Sequence, residues 1–297
     1  MPNRILRLQL VRYDNEQFQK SHDLNNQRSP HAMQPFLIWF QQRSGSSHLV
    51  SLLNSHPEIR CKGEVFGCYP VGKTGEEGSH PTARHLGDNL YRRRINQFPG
   101  RIEDPNDKQC LDEVVSLMSH AASGDSNQNA LGFKMKFPSQ ATLFPEVRQH
   151  LESMHESLKV IVLTRKNYLH RAISNLNLDR LQSLTTRSNV EEAVQLPPQD
   201  FDAKEVVRLI DYYKTLETDF FAWPARFKFR LEIDYDDLVS ENVEQTADEL
   251  LLFLDVNRDV RLSSKLKKVA PSRLETLVNN AQELKDALKE NKIEYKW

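Results

Sequence analysis

A strand, a short loop and a helix follow one another where the first strongly apolar part of the chain begins. The run Phe36–Phe40 is wholly apolar, bounded by polar residues and rich in aromatic and branched side chains. This pattern is typical of a strand that is buried on both faces of a parallel sheet. A helix is predicted for Gly45–Asn54, where Leu49, Leu52 and Leu53 lie on one stripe. A buried strand that feeds a helix in this way favours an α/β architecture.

Further strands and helices alternate along the rest of the chain. Short apolar runs predict the strands, and apolar residues at helical spacing predict the helices. Their alternation indicates an α/β fold with right-handed crossovers. The predicted strands are Ile59–Lys62, Leu131–Phe137, Lys159–Leu163 and Phe227–Ile233. The predicted helices are Asn167–Leu181, Ala203–Phe221, Val243–Leu254 and one that begins after Pro271, with Leu274, Leu277, Ala281 and Leu284 along one face.

The 297 residues are enough for one large domain. Residues 1–34 end in a polar stretch and are predicted to be a lead-in, and residues 35–297 are predicted to form a single domain. The segment at about 67–129 contains stretches rich in Gly, Pro, charge and other polar residues. We interpret it as an insertion over the active face, with a helix near Ala83–Phe98. A second long loop is predicted for Ser183–Asp200.

The charge balance and the cysteines restrict the class of protein. Lys plus Arg number 40 and Asp plus Glu number 41, a net charge of −1, so a general field for nucleic acid or membrane surfaces is not expected. Three irregularly spaced cysteines suggest reduced thiols rather than a disulfide framework. No apolar run approaches the ~20 residues that a membrane span needs. The first residues lack the apolar core of a signal peptide, and a cytoplasmic protein is therefore expected.

The loop after Phe40 combines small residues with fixed positive charge. Gly45 allows close approach of the backbone, Ser46 and Ser47 add hydroxyl donors, and Arg43 adds a guanidinium. A loop that enters a helix N-terminus from a buried strand is a physical site for an anion. It is not the nucleotide-triphosphate loop, which needs a second glycine and a lysine. Taken alone, an ordinary serine-capped turn explains the loop equally well.

The longer string resembles the 5′-phosphosulfate loop of the sulfotransferase family. Arg43-Ser-Gly-Ser-Ser-His48 is similar to the family loop, and the chain continues without a gap to His56-Pro57 and Gly63-Glu64, as in the carbohydrate and tyrosyl-protein branches. The resemblance implies a P-loop-NTPase-like three-layer sandwich with a central, mainly parallel sheet flanked by helices. It also implies 3′-phosphoadenosine 5′-phosphosulfate as the sulfuryl donor, a bacterial-type soluble enzyme and no required metal.

A second anion anchor is predicted after Lys159–Leu163. Arg165 comes at the carboxyl end of that strand, where open α/β sheets bind ligands. Ser174 lies nine positions later, about two and a half helical turns on, so both side chains can converge on one phosphate. A salt bridge and helix packing would explain the pair better if it stood alone. The segment resembles the 3′-phosphate motif of the sulfotransferases, and this resemblance favours a phosphate site.

Two further donor contacts are implied by weaker resemblance. The segment Glu232–Leu238 is similar to a Tyr-Glu-Asp-Leu motif of the family and contains Tyr235, with Asp236 in place of the usual glutamate. The basic segment Lys265–Lys268 precedes the last predicted helix, where relatives often place a phosphate contact, and it contributes Lys268. Packing of the tyrosine and a solvated charge run remain equally good explanations.

The resemblance also implies catalytic roles. Glu64 matches the Gly-Glu position and is the candidate base for the acceptor proton. Arg43 would stabilise charge on the leaving phosphate, but a guanidinium is a poor proton donor, so protonation of the leaving group is open. His48 is assigned to lining the donor pocket. The donor-binding set is Arg43, Ser44, Gly45, Ser46, Ser47, His48, Arg165, Ser174, Tyr235 and Lys268.

Other basic residues have no assigned role. Lys134 and Lys136 alternate with apolar residues, so they project from one face of their strand, which borders either the active site or solvent. Arg92–Arg94 favours a solvated helix face over an anionic acceptor site. The expected acceptor is the hydroxyl of a carbohydrate, a glycolipid or another hydroxylated metabolite. The alternatives are a nucleotide-dependent kinase and a non-catalytic nucleotide-binding module.

Overall fold

A computed structural model describes residues 33–64, 111–112, 114–119, 128–139, 141, 144–177, 197–264 and 276–295. The strands in these residues are β1 (Gln34–Gln41), β2 (Ile59–Glu64), β3 (Ala130–Phe137), β4 (Lys159–Thr164) and β5 (Phe229–Asp234). They form one sheet in the order β2-β3-β1-β4-β5, and every neighbouring pair is parallel. The predicted α/β fold with a central parallel sheet is confirmed.

Helices cover the sheet and connect its strands. Among the helices in the described residues are α1 (Ser46–Leu53), α2 (Pro145–Ser153), α3 (Tyr168–Leu176), α4 (Ala203–Thr215), α5 (Glu217–Ala222), α6 (Tyr235–Leu238), α7 (Val243–Leu254) and α8 (Ala281–Glu290). None of the described helices is long and apolar enough to cross a membrane. The connections run from the carboxyl end of one strand to the start of the next, as parallel pairing requires.

The two faces of β1 enter different hydrophobic clusters, because successive side chains of a strand point to opposite faces. Phe36, Ile38 and Phe40 pack with α1 and α7 on one face. Leu37 and Trp39 face the other side and pack with α2 and α5. Burying such side chains stabilises the fold by roughly 1.5–3 kcal/mol each. The central strand therefore fixes where its terminal loop emerges.

A third cluster joins α3, α4 and α8 beside the sheet. Its buried residues include Ile173 from α3, Ile210 from α4 and Leu288 from α8. This cluster holds α3 in place, and α3 begins immediately after the loop that follows β4. The predicted helix Asn167–Leu181 is wrong at its end, because α3 ends at Leu176 and the next residue is in a turn.

The predicted helix Ala203–Phe221 is two helices. It is broken at Leu216, which ends α4 and precedes α5. The hydroxyl of Thr215 donates to the carbonyl oxygen of Tyr212 at 2.8 Å, and such back-bonding by threonine bends helices. The break lets α5 turn Phe220 into the cluster beneath Trp39.

The C-terminal helix begins later than predicted. Leu277 precedes α8 rather than lying within it. Its carbonyl oxygen accepts from the backbone N–H of Gln199 at 3.0 Å, and Asn279 N–H donates to the carbonyl oxygen of Gln199 at 2.9 Å. This parallel bridge holds the backbone extended, so a helix cannot form there.

Candidate functional site

The loop between β1 and α1 turns at two residues with left-handed backbone conformation. Arg43 has a φ of 64° and Gly45 a φ of 82°. Ser44 is buried and donates its hydroxyl to the carbonyl oxygen of Gln41 at 2.7 Å. The N–H of His48 donates to the carbonyl oxygen of Gly45 at 2.9 Å, whereas the N–H groups of Ser46 and Ser47 at the start of α1 have no carbonyl partner within the helix. The helix dipole adds partial positive charge there. The loop can therefore receive an anion.

Gly45 lies directly against the ring of Tyr235. A Cβ atom at position 45 would lie 2.0 Å from Cδ2 and 2.3 Å from Cε2 of the tyrosine. These distances are far below van der Waals contact, and the positive φ disfavours a side chain independently. Only glycine fits where the loop meets this ring.

Replacing Gly45 by alanine is expected to destabilise the protein by roughly 2–5 kcal/mol, because backbone strain adds to overpacking against Tyr235. Gly63 is a matched control, since its φ is 74° but no atom of the described residues lies within 4 Å of where its Cβ would be. Gly63→Ala should cost only the strain of about 1–2 kcal/mol. Urea denaturation measures both free energies of unfolding, and equal losses would contradict a specific role for the Gly45–Tyr235 contact.

Arg165 follows β4 and reaches across to the first loop. Its Nη1 donates to the carbonyl oxygen of Arg43 at 3.2 Å, and its guanidinium carbon lies 4.8 Å from the centre of the Tyr235 ring. Burial lowers the pKa of Arg165, while Tyr235, Asp236 and Asp234 act in the opposite direction. Its Nε is buried and makes no hydrogen bond to any described residue. A donor in this position can bind an incoming oxygen atom.

Ser174 joins the two predicted anchors directly. It lies on α3, and its hydroxyl oxygen accepts a hydrogen bond from Nε of Arg43 at 2.9 Å. On the next residue of the helix, Asn175 Oδ1 accepts from Nε2 of Gln42 at 3.3 Å. The side chains of α3 therefore hold the first residues of the loop after β1. The Arg43 guanidinium is turned toward the second anchor.

Tyr235 is held by a capping aspartate. Asp234 ends β5, and its Oδ1 accepts from the backbone N–H of Asp236 at 3.0 Å. Its Oδ2 accepts from the Thr164 hydroxyl at 3.0 Å and from the Lys166 backbone N–H at 2.9 Å. The same carboxylate thus orients the tyrosine and the loop that carries Arg165. Burial raises the pKa of the Tyr235 phenol, so it is neutral at physiological pH.

Lys134 provides the lysine that the loop sequence lacks. Only 6% of this residue is exposed, and its ammonium donates to the hydroxyl oxygens of Ser46 at 3.2 Å and Ser47 at 3.3 Å. It also lies 5.1 Å from the centre of the Phe40 ring. Lys136, on the same face, is 9% exposed. Exposure of this strand face to solvent, one of the two alternatives from the sequence, is therefore wrong.

His48 lies in the first turn of α1, half-buried, with its ring edge-on to Tyr235 at 6.3 Å between centroids. Burial lowers its pKa below 6.5, and a hydrogen bond with the backbone of Leu238 opposes this. The imidazole is therefore mostly neutral at pH 7. His48 therefore lines the site with a neutral ring that can form hydrogen bonds, and it does not add a permanent charge.

Of the predicted site residues Glu64 and Lys268, only Glu64 lies within the described residues. Glu64 is the last residue of β2, and its backbone pairs in register with Lys134 of β3. The candidate base therefore belongs to the strand next to the one that supplies the buried lysine. Lys268 lies outside the described residues, as does Arg92–Arg94.

The assembled site is cationic and has two parts. The backbone N–H groups of α1 and Lys134 make one part, and Arg165, Ser174 and Tyr235 make the other, with Arg43 between them. Fixed guanidinium and ammonium groups suit phosphate and sulfate oxygens. Among the described residues, no three His, Cys, Asp or Glu side chains lie close enough together to hold a metal ion.

Comparison with known proteins identifies the family of this chain. A family model described as "Sulfotransferase family" matches residues 35–259, which is more than half of the chain. The protein therefore belongs to the sulfotransferase family, and sulfuryl transfer is its general activity. No curated protein sequence matches the chain.

Two solved structures illustrate the similarity. A sulfotransferase from Alicyclobacillus acidocaldarius aligns over 91% of this chain and 98% of that chain, with 17% identity and a TM-score of 0.40. The sulfotransferase domain of the Synechococcus PCC 7002 olefin synthase aligns over 91% of this chain and 92% of that one, with 18% identity and a TM-score of 0.36.

Proposed function

We propose that this sulfotransferase takes its sulfuryl group from 3′-phosphoadenosine 5′-phosphosulfate and transfers it to an acceptor hydroxyl. The hydrogen bond from Arg43 to Ser174 carries the proposal, because it unites the loop after β1 and the anchor after β4 in one site. A nucleotide with anionic groups on both its 3′ and 5′ positions matches two anion-binding parts that share a central arginine.

The two parts are assigned to the two ends of the nucleotide. We assign the 5′-phosphosulfate to the turn Ser44–His48, where N–H groups, hydroxyls and the Lys134 ammonium converge. We assign the 3′-phosphate to Arg165, Ser174 and Tyr235. In this proposal the buried Nε of Arg165 binds a phosphate oxygen.

The reaction we propose is an in-line displacement at sulfur. The acceptor oxygen forms a bond to sulfur while the bond from sulfur to the 5′-phosphate oxygen breaks. The Glu64 carboxylate takes the acceptor proton. Arg43 and the N–H groups of the loop stabilise negative charge on the leaving phosphate. Lys134 can do so as well, and its ammonium can also give a proton to the leaving oxygen.

The proposal includes no metal ion and leaves the acceptor class broad. The charge that magnesium neutralises in phosphoryl transfer would here be met by Arg43, Arg165 and Lys134. A carbohydrate, a glycolipid or another hydroxylated metabolite would supply the acceptor hydroxyl. We assign its recognition to the segments at about 67–129 and 183–200.

Calorimetric titration with 3′-phosphoadenosine 5′-phosphate tests the donor assignment. The native protein should bind it, and Arg165→Ala should bind roughly 10- to 100-fold more weakly, because a charge-assisted hydrogen bond to phosphate is lost. Arg230, exposed on β5, gives the control Arg230→Ala, which should bind normally.

Three results would contradict the proposal in different ways. Failure of the native protein to bind the bisphosphate would contradict the assignment of the sulfuryl donor. Preference for ATP over the bisphosphate would favour the kinase alternative. Tight binding without transfer to any hydroxyl in an acceptor library would favour a non-catalytic module.

A further inference from the structure

Arg171 is a buried cation behind the phosphate loop that the proposed reaction does not use. Only 2% of it is exposed. Its Nε donates to the carbonyl oxygen of Gln42 at 3.0 Å, and its Nη1 donates to Oε1 of Gln41. Its guanidinium carbon lies 3.7 Å from the centre of the Tyr213 ring. One side chain thus grips both residues that lead from β1 into the loop.

The charge of Arg171 has no carboxylate partner within the described part of the chain. After burial, the largest influences on its pKa come from Tyr213, Tyr168, Tyr212 and, repulsively, Arg165. Burial lowers its pKa to about 10, so it stays protonated at neutral pH. An uncompensated buried charge is costly, and an apolar residue would suit this position between α3 and α4 better if packing were the only requirement.

We propose that Arg171 is a positioning residue for the 5′-phosphate part of the site. It holds Gln41 and Gln42 so that the turn after them keeps its shape, and its buried charge is matched when a 5′-phosphate group occupies that turn. The matching of the Arg171 charge by phosphate rests on the proposed donor. The positioning of the loop through Gln41 and Gln42 is independent of the donor.

The test compares Arg171→Met and Arg171→Lys with the control Arg208→Met. Arg208 lies on α4, its side chain is 63% exposed and it pairs with Glu205, so its replacement removes the same charge from the surface. Hydrogen exchange of the loop amides 44–48 is measured without ligand. Dissociation constants are then measured for adenosine 5′-phosphate and for 3′-phosphoadenosine 5′-phosphate.

Arg171→Met should speed hydrogen exchange of the loop amides. It should also raise the dissociation constants of both nucleotides by the same factor, about 10-fold, because the 5′-phosphate contacts are common to both. Arg171→Lys keeps the charge but loses one hydrogen-bond donor group, so its exchange rates and dissociation constants should lie between those of Arg171→Met and the native protein. Arg208→Met should change nothing. If Arg171→Met does not fold, Arg171→Lys still tests the proposal through hydrogen exchange of its loop amides and its dissociation constants for both nucleotides.

Several outcomes would overturn the inference. A lower melting temperature with unchanged loop exchange and unchanged affinities would make Arg171 purely structural. A loss confined to the bisphosphate would assign its effect to the 3′ anchor. If the native protein binds neither nucleotide, the proposed donor fails, whereas loop exchange still decides whether Arg171 holds the loop: unchanged exchange overturns this role, and faster exchange supports it.

Discussion

Glu64→Gln is expected to lower kcat for sulfuryl transfer by about 10²- to 10⁴-fold, the usual contribution of a general base. Glutamine keeps the size and polarity of the side chain but cannot take the acceptor proton. The dissociation constant of 3′-phosphoadenosine 5′-phosphate should not change, because Glu64 is assigned to the acceptor and not to the donor. Steady-state rates and calorimetry on the same preparation measure both quantities.

A matched control for this variant is Glu232→Gln. Glu232 is exposed on β5, at the opposite edge of the sheet from β2, so the same chemical change there should leave turnover intact. If Glu64→Gln turned over at the native rate, Glu64 would no longer be the candidate base. If it lost nucleotide affinity together with turnover, its role would be in shaping the donor loop next to it.

The middle of the sheet could be predicted most directly from the sequence because β1 and β4 are mainly apolar. A strand that is buried on both faces consists largely of apolar side chains, so runs such as Phe36–Phe40 and Lys159–Leu163 stand out from a polar chain. The break at Leu216 and the bridge at Leu277 could not be predicted in the same way. The break at Leu216 accompanies a hydrogen bond from the Thr215 hydroxyl to the carbonyl oxygen of Tyr212, which apolar periodicity does not report. The bridge at Leu277 depends on pairing with the distant Gln199, and such tertiary contacts override local periodicity.

Residues of the site were predictable where they sit on the strand–loop–helix units themselves. Arg43, Arg165 and Ser174 were predicted from the resemblance to the family's motifs, and the structure brings all three together. Lys134 did not follow, because its role depends on β3 lying beside β1, and spatial strand order is not written in local patterns. The role of Arg171 could not be predicted for a related reason, since it contacts the loop only because of where α3 packs.

Lys134→Met is expected to lower kcat by about 10²- to 10⁴-fold, because it removes a buried ammonium that contacts both serines of the proposed 5′-phosphosulfate turn. Affinity for 3′-phosphoadenosine 5′-phosphate should also fall, by roughly 10-fold or more. Lys204, exposed in the first turn of α4, provides the control Lys204→Met, which should behave like the native protein. The measurements are single-turnover rates and calorimetric dissociation constants.

Lys134→Arg separates the two contributions that this lysine can make. A guanidinium keeps the positive charge and gives up its proton far less readily than an ammonium, so it can stabilise the leaving phosphate without giving it a proton. Recovery of nucleotide affinity without recovery of the single-turnover rate would identify Lys134 as the proton donor that Arg43 cannot be. Recovery of both would mean that its charge alone assists departure of the phosphate, and that the leaving oxygen needs no proton from the protein.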